Sequence, residues 1–148
     1  MVCNPPITSA VLLIEGLTKG HAGHATVDYA AEAITALVKQ SLESFLRTSR
    51  TPAYAPEKIS GILADAITRF DNTLTGDFVN LFPGGLNGLL RMADGQIRQI
   101  VDDRSVGGRN WATAVRCLQG STALLSLTDP TKSHLWIANL GDCQAGTF

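Results

Sequence analysis

The sequence lacks any long hydrophobic run. No apolar stretch approaches the roughly 20 residues that a membrane-spanning helix needs, so we predict no membrane span. The first residues contain only a short apolar patch, 11–14, with no basic segment before it and no Arg- and Ser-rich character. These absences argue against a secretory signal peptide and against a mitochondrial presequence at the visible N-terminus.

Cysteine and concentrated charge are also scarce. The three cysteines, Cys3, Cys117 and Cys143, are far apart and lack Cys-x-x-Cys spacing. They predict neither a disulfide framework nor a zinc site, which favours a reducing intracellular compartment, cytoplasmic or mitochondrial. The 12 basic and 13 acidic residues give a net charge of -1, and no stretch clusters Lys and Arg. We therefore predict no nucleic-acid partner.

What the chain does have is enough apolar residues for one folded domain: 148 residues, 45% of them hydrophobic. Apolar residues at helical spacing from 27 to 46 predict a first long helix, with Asp28 and Glu32 near its start, where the helix dipole favours acids. A proline-containing break follows. The apolar spacing from 59 to 74 then predicts a second helix that begins near Pro56 and packs antiparallel to the first.

The second half of the chain changes character. Residues 75–110 are rich in glycine and polar residues and have few apolar anchors, which predicts an insertion or long surface loop. Residues 111–119 predict a short helix. Two apolar segments, 121–127 and 134–140, are of strand length and are joined by turn residues, so they predict a β-hairpin with apolar groups on both faces. Such strands belong between two layers, and a third strand is expected after Gly141.

Three short motifs carry a resemblance to a known family. Residues 120–123 read GSTA, residues 138–145 read ANLGDCQA, and residues 20–23 read GHAG. They resemble the protein phosphatase 2C family of metal-dependent serine/threonine phosphatases. In that family GSTA or GATA opens one strand, the next strand ends in AN-x-GDSRA, and DGHAG precedes a long helix, as here. Residues 66–74 are similar to the end of the next family helix, and the insertion at 75–110 is most similar to the pyruvate dehydrogenase phosphatase branch.

The resemblance implies a fold and a reaction. The expected fold class is α/β (α+β): a four-layer α-β-β-α sandwich with two antiparallel sheets. Residues 20–148 would form its N-terminal, incomplete part after a non-matching segment, 1–19. The expected reaction is hydrolysis of phosphoserine or phosphothreonine in a phosphoprotein substrate. In the family two Mg or Mn ions lower the pKa of a bridging water and neutralise the charge of the phosphoryl group.

The resemblance also implies roles for individual residues. Gly20 would supply a backbone carbonyl to a metal, and His21 would be the candidate general acid for the leaving group. Asp142 would sit at the metal edge and act through a metal-bound water. The family's later half supplies further aspartate ligands that this sequence does not contain.

Two departures from the family pattern bear on activity. Lys19 stands where the family has the aspartate that bridges both metals, and an ammonium group cannot ligate a cation. Cys143 and Gln144 replace the usual Ser-Arg pair, which is tolerable variation. We expect this chain to be inactive by itself, and we hypothesise that residues 1–19 arise from a mispredicted gene start or a retained intron. The alternatives are a non-catalytic pseudophosphatase that binds a partner, and a truncated product without independent function.

Each residue singled out also has a simpler interpretation. Taken alone, His21 in its glycine-rich turn favours a helix-capping role, and Asp142 is a common turn residue after a strand. Cys143 is expected to be a small buried apolar residue. Asp102 and Asp103 look like a paired-carboxylate site, but their polar surroundings favour a solvated turn.

Overall fold

A computed structural model describes residues 25–48, 56–119, 122–129 and 132–141 of the chain. These residues form a mixed α+β structure in which helices predominate and two strands pair. None of the helices in these ranges is long and apolar enough to cross a membrane. The elements are α1 (Ala25–Thr48), α2 (Pro56–Val79), α3 (Gly85–Leu89), α4 (Asp94–Val101), a 3-10 turn (Arg104–Val106), α5 (Arg109–Leu118), β1 (Ala123–Thr128) and β2 (Leu135–Leu140).

The two predicted long helices are confirmed, and they pack against each other as an antiparallel pair. The aromatic ring of Tyr29, at the start of α1, lies 5.7 Å from that of Phe70, near the end of α2. Buried side chains recur every three or four residues along both helices, as one apolar face requires. The buried residues are Ala30, Ile34, Val38 and Leu42 on α1, and Ile59, Leu63, Ala66 and Phe70 on α2.

The prediction of a long surface loop over 75–110 is wrong, because helices lie within the segment, whereas the alternative of an insertion stays a prediction. Helix α2 continues to Val79, and α3, α4 and the 3-10 turn lie within the segment. Gly84 and Gly108 directly precede α3 and α5 and have φ of 80° and 67°. Both lie in the left-handed backbone conformation, which glycine adopts without strain. Gln96 reaches back to the backbone N–H of Ala93 (3.0 Å) and stabilises the start of α4.

The predicted hairpin and the short helix before it are confirmed. Strands β1 and β2 pair antiparallel, in a register from Ala123 opposite Leu140 to Thr128 opposite Leu135. One face of the hairpin, with Leu125, Leu127 and Trp136, is buried in the core formed with α1 and α2.

The expected burial of both hairpin faces holds for β1 but not for β2. On the face turned away from the α1–α2 core, Leu124 of β1 is 7% exposed, whereas Leu135 and Ile137 of β2 are 51% and 49% exposed. Leu140, on the same face of β2 as Trp136, is also 45% exposed. The described residues therefore cover the apolar side chains of β1 but leave several of those of β2 about half exposed. The expected third strand after Gly141 lies outside the described residues.

Candidate functional site

Thr26 ties the start of α1 to the end of α5. It is 1% exposed, and its Oγ1 donates a hydrogen bond of 2.9 Å to the carbonyl oxygen of Arg116. Oγ1 of Thr26 also lies 3.4 Å from Oε1 of Gln119. Thr26 follows the GHAG motif by three residues, and Gln119 directly precedes the GSTA motif. The bond therefore joins the chain segments next to two of the three motifs.

Arg116 strengthens this junction from the side of α5. Its guanidinium carbon lies 4.7 Å from the centroid of the Tyr29 ring, within the range of a cation–π interaction. Its Nη2 donates to Thr113 Oγ1 at 3.2 Å, which orients the guanidinium group. Because the Tyr29 ring also contacts Phe70, helices α1, α2 and α5 meet at this point. The junction is a packed three-helix contact and not a single hydrogen bond.

Thr122 of the GSTA motif and Gly141 of the ANLGDCQA motif lie together at one end of the hairpin. They flank the terminal pair Ala123–Leu140 of the register. Gly141 has a φ of 90°, and a Cβ atom there would lie 2.6 Å from Cγ2 of Thr122. Only glycine suits both that backbone conformation and that approach. The start of the GSTA strand therefore lies against the end of the ANLGD strand.

The residues that the resemblance implicates directly lie outside the described residues. These are Lys19, Gly20, His21 and Asp142, and their assigned roles stay predictions. The structure does describe the residues that flank them, namely the start of α1 and the Thr122–Gly141 contact. Among the described residues, no group of three or more His, Cys, Asp or Glu side chains is placed to hold a metal ion.

The donor set itself does not fit a two-metal centre. Gly20 offers a carbonyl oxygen and Asp142 a carboxylate, both of which are hard oxygen ligands that Mg and Mn prefer. Lys19 offers an ammonium group, which has three donors and no acceptor and repels a cation. At the position where the resemblance expects the bridging carboxylate, the sequence therefore has a residue that cannot ligate a metal ion.

Asp102 and Asp103 stabilise a turn and do not form a carboxylate pair. Asp102 accepts two hydrogen bonds from Arg104, from Nε at 2.6 Å and from Nη2 at 2.8 Å, and these hold the pKa of Asp102 below its usual value. Asp103 accepts the backbone N–H groups of Asn110 and Trp111, each at 3.0 Å, which lowers its pKa as well. Each carboxylate thus has its own partners, and Asp103 caps the start of α5.

Sequence reasoning missed an aspartate–histidine pair at the other end of the hairpin. Asp129 is 5% exposed and accepts the backbone N–H groups of Ser133 (2.7 Å) and His134 (2.9 Å). Its Oδ2 lies 3.3 Å from Nδ1 of His134, whose ring stacks on Trp136. The Asp-Pro turn signal was visible in the sequence, but not the burial of the carboxylate. These bonds close the turn between β1 and β2.

Cys117 does not provide a nucleophile. Burial, and to a lesser extent the negative charge of Asp71, raise the pKa of the Cys117 thiol above its ordinary value. The thiolate is the reactive form of cysteine, so a raised pKa leaves this side chain in the unreactive thiol form at neutral pH.

No protein-family model, no curated protein and no solved structure matches this chain. Support for any function therefore rests on the motif residues themselves and on the contacts that the structure shows around them.

Proposed function

We propose that this chain carries part of a metal-dependent serine/threonine phosphatase domain of the protein phosphatase 2C type. Its reaction class is hydrolysis of phosphoserine and phosphothreonine in phosphoproteins. One observation carries the proposal: residues next to or within the three motifs contact each other, through Thr26 with Arg116 and Gln119 and through Thr122 with Gly141.

The two contacts differ in weight. Thr122 and Gly141 lie next to the terminal pair of the hairpin, so the antiparallel pairing of β1 and β2 is enough to bring them together. The hydrogen bond from Thr26 to Arg116 joins residues 90 positions apart in the sequence. It links the segment just after the GHAG motif to the segment just before the GSTA motif, and it is the contact that supports the proposal most strongly.

The proposed roles follow the family pattern for the residues that match it. In a domain that keeps the bridging aspartate, Gly20 would offer its carbonyl oxygen to a metal ion, Asp142 would hold a metal-bound water, and His21 would protonate the leaving alkoxide. Bound Mg or Mn ions would supply the activated water. Lys19 removes the bridging carboxylate, so we propose that the chain as it stands does not hydrolyse phosphoesters.

The uncovered side of the hairpin supports the proposed four-layer sandwich. Leu135 and Ile137 are about half exposed on the face turned away from α1 and α2. In the proposed fold a second sheet packs on this face, and burial of large aliphatic side chains contributes roughly 1.5–3 kcal/mol each.

A metal-binding titration tests the proposal. Lys19→Asp restores the carboxylate, and we expect it to bind Mn²⁺ at least about tenfold more tightly than the unaltered chain, because one repulsive charge becomes a ligand. Electron paramagnetic resonance of free Mn²⁺ measures this affinity. Lys39→Asp makes the same charge change on the exposed side of α1 and is the matched control.

The second carboxylate completes the test. Asp142→Asn in the Lys19→Asp background should reverse most of the gain in affinity, because both side chains are proposed to face the same site. Equal gains from Lys19→Asp and Lys39→Asp would contradict the proposal. A gain that Asp142→Asn leaves intact would contradict it too.

A further inference from the structure

A cleft runs along the seam between α1 and α2, away from the three motifs. It has a volume of about 520 Å³ and is lined by the last third of α1 and the first half of α2. This volume is within the range of ordinary ligand-binding sites. The lining residues are Gln40, Ser41, Ser44, Phe45, Arg47, Thr48, Lys58, Ile62 and Arg69.

The described lining contains three cations and no carboxylate. Arg47, Lys58 and Arg69 give the cleft a local charge of opposite sign to the net charge of -1 of the whole chain. Within the described part of the chain, no carboxylate lies within 4.0 Å of the Arg47 or Lys58 nitrogen atoms, and Arg69 has only Asp65 at 3.8 Å. That pair is exposed on both sides and is therefore weak.

The cations are separated along the cleft. At ~1.5 Å of rise per residue, the Cα atoms of Lys58 and Arg69 lie roughly 16 Å apart along α2. Because the helices are antiparallel, Arg47, in the last turn of α1, lies at the same end as Lys58. The cleft therefore has two cations at one end, one at the other end, and the apolar side chains of Phe45 and Ile62 between them.

We propose that this cleft binds an extended acidic peptide segment of a partner protein, with an apolar side chain between two carboxylates. An extended chain advances about 3.3 Å per residue, so glutamates five residues apart are spaced by roughly 16 Å, like the Cα atoms of Lys58 and Arg69 along α2. The central apolar side chain packs on Phe45 and Ile62. Ser41 and Ser44 offer hydroxyl groups to the peptide backbone. The proposal does not depend on metal binding or on the phosphatase assignment.

A labelled peptide tests the proposal on the whole chain. The probe is a fluorescein-labelled peptide of six residues with a glutamate at each end, a leucine near the middle and alanine elsewhere. Fluorescence anisotropy in EDTA measures its binding without any contribution from a metal site. We expect saturable binding that weakens as NaCl is raised from about 50 to about 300 mM, because salt screens the ion pairs.

Variants of the chain and of the peptide distinguish the cleft from general charge attraction. Lys58→Gln and Arg69→Gln should each weaken binding by about twofold to fivefold, as expected for exposed ion pairs. Ser44→Trp fills the cleft without changing its charge and should abolish binding. Lys39→Gln removes a cation of α1 that does not line the cleft and is the control. Circular dichroism checks that each variant folds.

The outcomes that overturn the proposal are equally definite. If Lys39→Gln weakens binding as much as the cleft variants do, the attraction is non-specific, and that result rejects the cleft. Full binding by the Ser44→Trp variant rejects it as well. The proposal is also rejected if a peptide with glutamine in place of its glutamates binds as tightly as the original peptide. It is rejected as well if a peptide with serine in place of its leucine does so. Absence of any binding at millimolar protein concentration rejects it directly.

Discussion

At the scale of single residues, Thr26 and Gly141 position the candidate site. Thr26 holds the start of α1 against the last turn of α5 through a buried hydrogen bond. Gly141 allows the end of the hairpin to close on Thr122. Neither role was visible in the sequence, because a threonine at a helix start and a glycine after a strand are both common. Only the contacts of Thr26 and Gly141 in the structure distinguish them from other threonines and glycines at such positions.

Substitution of Thr26 tests the junction. Thr26→Val keeps the shape of the side chain but leaves the carbonyl oxygen of Arg116, in a part-buried position, without this donor. We expect it to lower the free energy of unfolding by about 1–3 kcal/mol, measured by urea denaturation. Thr35→Val is the matched control, because Thr35 is on the same helix and its hydroxyl bonds to Ala31 at an exposed position. It should cost less than about 0.5 kcal/mol. Equal effects of the two substitutions would contradict the proposed junction.

At the scale of secondary-structure elements, the apolar pattern of the sequence predicted the helices and strands in which that pattern is strong. Helices α1 and α2 were visible because their buried residues recur at helical spacing. The hairpin was visible because two apolar segments of strand length are joined by turn residues. Helix α4 was missed because its apolar residues, Ile97, Ile100 and Val101, are few and only partly buried. Its start is stabilised by a local hydrogen bond from Ala93 to Gln96, which hydrophobic periodicity does not detect.

The turn before α5 makes stability depend on pH. The backbone N–H groups of Asn110 and Trp111 lower the pKa of Asp103 in the folded state. A lowered pKa stabilises the fold above the unfolded value of about 3.9, and this stabilisation is lost as the pH falls through the folded pKa. We therefore expect the melting temperature to fall on acidification below about pH 4.

Asp103→Asn tests this dependence. The variant should have a lower melting temperature than the unaltered chain at pH 7, because the charged cap of α5 is lost. It should also lose less stability between neutral and acidic pH. Asp77→Asn removes the same charge from α2, outside this turn, and is the control. Parallel pH profiles for Asp103→Asn and the unaltered chain would show that the cap does not contribute.

At the scale of the whole molecule, the structure describes a helical layer on one face of a hairpin. The sequence predicted this α+β character and the order of the main elements. It did not predict that Leu135 and Ile137 stay half exposed, because periodicity identifies apolar residues but not what covers them. The motif residues Lys19, Gly20, His21 and Asp142 were identified by resemblance alone, and the structure adds the contacts between their neighbours along the chain.

The most direct test of the central claim is paramagnetic broadening of amide signals by Mn²⁺ in the Lys19→Asp variant. Broadening falls steeply with distance from the ion, so it locates the site. We predict that the amide signals of Thr26, Gln119 and Gly141 broaden first, whereas that of Ser44, roughly 27 Å along α1 from Thr26, stays sharp. Broadening centred on any other part of the chain, or equal broadening of all four signals, would contradict the claim that the three motifs form one site.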